Sequence, residues 1–226
     1  MHKTELVWRE RTSGLDVIAS VWTCNASTVT ARTVLADPCI SMIFIKGKDS
    51  AEVILRGPET KPRSEVLLPG HIWTAIRLQP GVQLRNFPVE QIADSFRTVS
   101  ADSEGWFHFE GQQLQFPGFH NAEQLIIQMQ KRGLIIGKAI DGTEGPKEGI
   151  SSKSYSRLVK RTTGLSPHKL KQLQRIHEAL QLLQQGAPAT KVAAELGFVD
   201  QAHLTRAAKQ FLGHTPRELL RVPQKP

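Results

Sequence analysis

A short segment in the C-terminal half of the chain occurs twice, 49 residues apart. Its copies are SYSRLVKRTTGLSP at 154–167 and HLTRAAKQFLGHTP at 203–216. Identical residues occupy four aligned pairs: Arg157 and Arg206, Lys160 and Lys209, Gly164 and Gly213, and Pro167 and Pro216. At about 100° per residue, the apolar side chains of each copy lie on one side of a helix and the cations on the other. The sequence therefore predicts the same short amphipathic helix at two places.

The residues before the second copy predict a helix-turn-helix motif. In APATKVAAELGFVDQAHLTRAAKQF, a first helix over about 188–196 is followed by a tight turn at Gly197, with Phe198 packed beneath it and Asp200 as the N-cap of the second helix. In such motifs the second helix enters the DNA major groove, whose base edges suit Arg, Lys, Gln, Asn and Ser or Thr. A plain helical hairpin with a solvated charged face is the alternative.

A longer helix is predicted between the two copies. Ser166 is its N-cap, Pro167 takes its first position, and an apolar stripe continues to Gly186. Its length of about 28 Å is close to the roughly 34 Å of one DNA turn. We therefore expect two recognition helices that enter consecutive major grooves on one side of the duplex. A solenoid repeat would need more than two copies.

The two halves of the chain differ in charge and in periodicity. Residues 1–114 carry 12 Lys and Arg against 13 Asp and Glu, whereas residues 115–226 carry 17 against 8. The first half contains the β-rich runs DVIASVW, STVTARTVL, CISMIFIK, AEVILRG and HIWTAIRLQ. From about residue 120 the pattern is helical. We predict the α+β class, with a β-rich domain at 1–114 and an all-α, basic domain at 115–226 that meets a polyanion.

Two further helices are predicted close to this boundary. VEQIADSFRTV follows Pro88 and places Ile92 and Phe96 four apart on one face. NAEQLIIQMQKRG starts the helical half, with Asn121 as its N-cap.

The elements ISSKSYSRLVKRTTGLSP, RIHEALQLLQQG and KVAAELGFVDQAHLTRAAKQFLGHTP carry a family resemblance. In the last of them, A-x-x-x-G-F, D-Q-x-H-x-x-R and F-x-G-x-[ST]-P stand in order at the family's spacing. Residues from about 120 to 222 thus resemble the DNA-binding domain of the AraC/XylS family of bacterial transcription regulators. The resemblance implies seven helices with two helix-turn-helix motifs. The base-reading positions that it implies are Lys153, Ser154, Ser156 and Arg157 in the first motif, and Gln201, Ala202, His203 and Arg206 in the second.

Lys160 and Lys209 are expected to contact phosphates, which position a protein without specifying sequence. Two features depart from the family pattern. Gly137 interrupts LIIGKAI, the expected supporting helix of the first motif, and GTEGPKEG forms a long approach to Ser151, the expected N-cap of the first recognition helix. Ala202 can offer a base only an apolar contact, such as one with a thymine methyl group.

Residues 1 to about 110 resemble, more loosely, a β-rich domain of a subset of these regulators, which implies a sensor or dimerisation module. IASVWTC, RGPETK and IRLQPGV carry this resemblance. The four tryptophans, Trp8, Trp22, Trp73 and Trp106, could line a ligand pocket, but core packing is their more common use. His71, His108 and His120 do not follow any metal-ligand spacing, so no metal and no cofactor is predicted.

The sequence favours a protein that is not an enzyme. It contains no GxSxG, GxxxxGK[ST], HExxH or CxxC motif, and Cys24 and Cys39 are read as reduced thiols outside any reactive signature. No secretory h-region or membrane-spanning apolar run is present, which predicts a cytoplasmic protein. The resemblance to the AraC/XylS family implies a bacterial, nucleoid-associated regulator. Double-stranded DNA is the predicted partner, and RNA polymerase, a small-molecule effector and a second copy in a homodimer are further partners that remain open. The alternative function is an effector-sensing or protein-interaction adaptor whose basic half binds another polyanion.

Overall fold

The computed structural model describes residues 6–141, 145–146 and 149–221. The strands are β1 Leu6–Arg11, β2 Ile18–Ala26, β3 Thr30–Val34, β4 Ser41–Lys46, β5 Ala51–Arg56, β6 Arg63–Leu67, β7 Ile72–Leu78, β8 Gln83–Leu84, β9 Phe96–Ser100, β10 Trp106–Phe109, β11 Gln112–Gln115 and β12 Ile135–Ile136. The helices are α1 Val89–Ile92, α2 Ala122–Lys131, α3 Ser152–Thr163, α4 Pro167–Gln184, α5 Ala189–Glu195, α6 Gln201–Leu212 and α7 Pro216–Arg221. A β-rich region precedes a helical one, which confirms the predicted fold class.

Six antiparallel strands form the main sheet in the order β1-β2-β7-β4-β5-β9. Both faces are apolar, and successive side chains of each strand point to opposite faces. One face forms a core with α1, α2 and the β10–β11 hairpin, in which Phe44 and Phe107 are buried. The other face carries Trp22 and Trp73 and packs against Leu67 of the β3–β6 ribbon. All five β-rich runs noted in the sequence contribute a strand.

The aromatic and thiol side chains of the second face serve packing. Trp22 and Trp73 are buried, and the ring of Trp8 stacks on that of Trp22 with 4.6 Å between centroids. Core packing is therefore confirmed for these rings, while Trp106 is half-buried in β10. Cys24 is a free, buried thiol, and its burial raises its pKa to about 11. A thiol with that pKa stays protonated and unreactive at neutral pH.

The helix predicted after Pro88 is wrong beyond Ile92. Helix α1 covers only Val89–Ile92, and Asp94 adopts φ 55°, a left-handed conformation that interrupts a helix. Phe96 begins β9, which pairs with β5, and its side chain is 50% exposed rather than aligned with buried Ile92. Pairing with the edge of the sheet outweighs the local helical spacing.

The supporting helix predicted for the first motif is also wrong. Ile135 and Ile136 of LIIGKAI form β12 and pair with Leu84 and Gln83 of β8. Gly137 follows with φ 82°, a conformation that glycine adopts without a steric penalty and that a helix does not contain. Most of the segment GTEGPKEG, predicted as a long approach to α3, lies outside the described residues.

Helix α2 forms as predicted but packs in the N-terminal core. Leu125, Ile126 and Met129 belong to the same buried cluster as the sheet. Asn121 precedes the helix, and its side-chain oxygen accepts a hydrogen bond from the Gly118 amide at 2.6 Å instead of capping the helix. We propose that the division between the two bodies lies after Ile136 rather than at residue 115.

The five helices within residues 149–221 build a separate core. It contains the apolar side of α4 together with residues of α3, α5 and α6, and two residues of the N-terminal body, Leu35 and Ala36, are buried in it. None of the helices in the described ranges is both long and apolar enough to cross a membrane.

Candidate nucleic-acid interface

Helix α6 begins and ends with the geometry that the sequence predicts. The Asp200 carboxylate accepts a hydrogen bond from the His203 amide at 2.6 Å, which satisfies one free N–H of the first turn. Gly197 forms the preceding turn with φ 69°, and buried Phe198 lies beneath it. Gly213 ends the helix with φ 76°. Together with α5, this helix forms a complete helix-turn-helix motif.

Helix α3 has the same construction at both ends. The Ser151 hydroxyl accepts a hydrogen bond from the Ser154 amide at 3.1 Å, and Gly164 ends the helix with φ 72°. A second side-chain cap then starts α4, where Ser166 accepts a hydrogen bond from the Lys169 amide at 3.3 Å. The repeated segment therefore folds into two matching helices, as predicted.

The two helices expose matching cationic faces. The predicted DNA-contacting residues are Lys153, Ser154, Ser156, Arg157, Lys160, Gln201, Ala202, His203, Arg206 and Lys209, and all except His203 are exposed. Neither helix contains an acidic residue. Within the described part of the chain, none of the five cations in this set forms an ion pair. The faces are thus free to meet an anionic partner.

His203 differs from the other members of this set. Its ring packs edge-on against Phe198, 5.5 Å between centroids, and its Nδ1 accepts a hydrogen bond from the Val199 amide at 3.3 Å. The imidazole is therefore held against the turn, with only its outer edge available to a partner. Val199 itself is 87% exposed and directly precedes the N-cap of α6. One valine in a turn has no periodic signal, so no role for Val199 was predicted from the sequence.

Arg175 of the long helix α4 is a second residue whose role was not predicted from the sequence. Its Nε donates a hydrogen bond to the carbonyl oxygen of Leu196, 2.9 Å away, at the end of α5. Its guanidinium carbon lies 4.3 Å from the centroid of the Phe198 ring, close enough for a cation–π contact. Arg175 thus fixes the second motif on the linker helix. A single arginine within a helix carries no sequence signal for such a contact.

The N-terminal body contacts the helical body beside the ends of both exposed helices. Thr33 Oγ1 lies 3.3 Å from Nε2 of His214, just after α6. A β-carbon at Gly213 would lie 2.9 Å from Cγ of Pro62. At the other end of the interface, a β-carbon at Gly164 would lie 3.4 Å from Cβ of Ala93. The contacts leave the N-terminal turns of α3 and α6 exposed.

A buried charge cluster lies behind this interface. Arg77 pairs with Asp37 at 2.7 Å, and Arg32 pairs with Glu65 at 2.6 Å. Burial by itself raises the pKa of the Asp37 carboxyl, but the positive charge of Arg77, with smaller contributions from His177 and from hydrogen bonds with Cys39, outweighs it, so the pKa lies below its ordinary value. The adjoining cavity of about 20 Å³ has room for about one water molecule. It is lined by residues of both bodies.

The comparison with known protein families agrees with the geometry of the helical body. Residues 147–221 match a helix-turn-helix domain. The match covers about a third of the chain and supports an AraC-like helix-turn-helix domain that binds DNA and regulates transcription. No curated protein and no solved structure matches the chain significantly. A helix-turn-helix domain with this role favours a protein that is not an enzyme.

Proposed function

We propose that this protein is a sequence-specific transcription regulator that reads two consecutive major grooves with α3 and α6. The observation that carries the proposal is the pair of helices with matching caps and matching exposed cations. Neither helix contains an Asp or Glu residue. Each has the width and polarity that the major groove of B-DNA admits. Helix α4 joins them, and its 18 residues span about 27 Å, near the roughly 34 Å of one DNA turn.

The charges of the helical body support DNA as the partner. Residues 147–221 carry 13 Lys and Arg against 5 Asp and Glu. Phosphate neutralisation by such a surface provides most of the non-specific affinity of DNA-binding proteins. Arg157 and Arg206 are proposed to contact base edges, and Lys160 and Lys209 to contact phosphates. We also propose that the exposed side chain of Val199 makes an apolar contact with DNA beside α6.

The role proposed for the N-terminal body is control of this DNA-binding domain. Its contacts beside the ends of both recognition helices support that role, because a change of shape there would move the helices. A small-molecule effector, a second copy of the chain and RNA polymerase are the partners through which we propose that control acts, in the bacterial cytoplasm.

The test is selection of bound sequences from random duplex DNA by the full-length protein, followed by titration of the selected duplex at several salt concentrations. We expect two short elements whose centres lie about 10 base pairs apart. Heparin, a polyanion without base edges, is the comparison ligand. Selection of no sequence, with equal affinity for DNA and heparin, would favour the adaptor alternative over a sequence-specific regulator.

A further inference from the structure

The two recognition helices are supported in different ways. Helix α6 packs against α4, α5 and α7 of its own body, and the N-terminal body meets only its C-terminal end, where Pro62 lies beside Gly213. Helix α3 packs against α4 but has no preceding helix of its own motif among the described residues, because Ile135 and Ile136 belong to strand β12. Among the described residues, no helix of the same body therefore supports α3 in the way that α5 supports α6.

Helix α1 of the N-terminal body lies on α3 instead. The two helices are in contact, and the meeting point is the C-terminal end of α3. A β-carbon at Gly164 would lie 3.4 Å from Cβ of Ala93 and 3.5 Å from Cγ1 of Val89, which is ordinary van der Waals distance. Val89 is fully buried and belongs to the sheet core, so the contact connects α3 to a rigid base.

A second connection runs through Ile140, the last residue of the segment LIIGKAI that was expected to support α3. Its amide donates a hydrogen bond to the carbonyl oxygen of Pro80 at 2.6 Å, while its side chain packs against the core of the helical body. Gly81 permits this close approach, since a β-carbon there would lie 2.6 Å from Cγ1 of Ile140. The chain that leaves the N-terminal body is thus attached to both bodies.

We propose that α1 supports α3 in place of the helix expected at LIIGKAI, and that Ala93 is a positioning residue for the DNA element read by α3. This inference rests on the proposed function, since it assigns one element to each recognition helix. Its consequence is asymmetric control. A change at α1 alters recognition of the first element. Helix α6 keeps the second element because α4, α5 and α7 support it along its length, and the N-terminal body meets it only at its C-terminal end, beside Gly213 and His214.

The test is random-site selection with the full-length protein carrying Ala93→Val and Ala93→Phe, which insert progressively more volume between α1 and α3. Selection with Arg157→Ala and with Arg206→Ala, each in the otherwise unchanged protein, first shows which of the two DNA elements depends on which arginine. We expect preference at the Arg157-dependent element to weaken with Val and to disappear with Phe, while the Arg206-dependent element is retained. Affinity for the two-element duplex should then fall to that for a duplex with the second element alone.

Two controls separate positioning from general damage. Gln91→Phe adds the same ring to an exposed position of the same helix and should leave both elements unchanged, as should the small substitution Ala93→Ser. Amide hydrogen exchange tests the inference in the free protein, without DNA. Ala93→Phe should increase the exchange rate of the α3 amides more than that of the α6 amides. Unchanged selection and exchange with Ala93→Phe, or equal loss of both elements with Ala93→Val, would overturn the inference. A wild-type protein that selects no paired elements would instead contradict the proposed function.

Discussion

Nε2 of His177, in the middle of the linker helix, lies 2.7 Å from the carbonyl oxygen of Ala36 in the N-terminal body and donates a hydrogen bond to it. Ala36 and its neighbour Leu35 are buried in the core of the helical body. The same histidine is close to the buried Asp37–Arg77 pair, which acts on it electrostatically. This bond joins the helix between the two recognition helices to the centre of the interface between the bodies.

The His177 contact predicts a loss of stability in mild acid. Burial lowers the pKa of this imidazole, and the charge of Arg77 lowers it further, against an opposing effect of Asp37. The unfolded chain therefore binds the proton at a higher pH than the folded one, so the free energy of unfolding falls as the pH drops through about 6.5. His177→Gln retains an N–H donor but does not titrate. Denaturant unfolding between about pH 7.5 and 5.5 should show a weaker pH dependence for His177→Gln, and identical slopes would contradict the assignment.

The two arginines predict losses at separate base positions. A guanidinium at either place can bond to O6 and N7 of a guanine. Arg206→Ala should cost about 1–3 kcal/mol and relax preference at one position of one element, and Arg157→Ala should do the same about one DNA turn away. The two losses should roughly add, because the sites are far apart. Binding-site selection on both variants checks this, and relaxation of a single shared position would show that the repeat does not enter two grooves.

The two matching lysines predict a change in salt dependence without a change in specificity. The logarithm of the binding constant should fall linearly with the logarithm of the salt concentration, with a slope of about −0.9 for each phosphate neutralised. Lys160→Ala or Lys209→Ala should weaken binding to all sequences alike and make that slope shallower. Lys191, exposed on α5 outside the predicted contact set, provides a matched control when changed to Ala. An altered sequence preference in either test variant would place its lysine on a base edge instead.

The cap of the second recognition helix predicts a measurable loss of stability. Asp200→Ala removes the acceptor of the His203 amide and should lower the free energy of unfolding by about 1 kcal/mol. Asp200→Asn keeps a side-chain oxygen at the cap and should recover most of that loss. Thermal and denaturant unfolding of the three proteins test the assignment. Equal destabilisation by Ala and Asn would show that the charge, rather than the hydrogen bond, is what matters there.

The local sequence was sufficient to predict the helices and the N-caps that form most of the candidate site. The offset of 49 residues predicted matching helices, and the structure has them at Ser152–Thr163 and Gln201–Leu212. Ser151, Ser166 and Asp200 were assigned as N-caps, and each accepts the expected hydrogen bond. The strands of the first half were equally clear. These features depend on residues a few positions apart, so short-range sterics and hydrogen bonding determine them.

The sequence did not show which segments would pair with a distant strand instead of forming the predicted helix. The family resemblance implied a helix at LIIGKAI, but Ile135 and Ile136 pair with strand β8, and Gly137 takes a conformation that a helix does not contain. Phe96 likewise pairs with β5 instead of continuing α1. Backbone hydrogen bonds to another strand are satisfied only after the chain has folded back on itself, so no local pattern records them.

The sequence by itself determined the two matching helices α3 and α6, their caps and their cations, because each is specified within about one or two helical turns. Only the tertiary structure decided how those helices are held. Arg175 on the second motif, Ala93 beside the first, and His177 at Ala36 all act across long separations in the chain. Their roles arise from packing between elements, and the residue types involved are ordinary in any helix or loop until the fold brings them together.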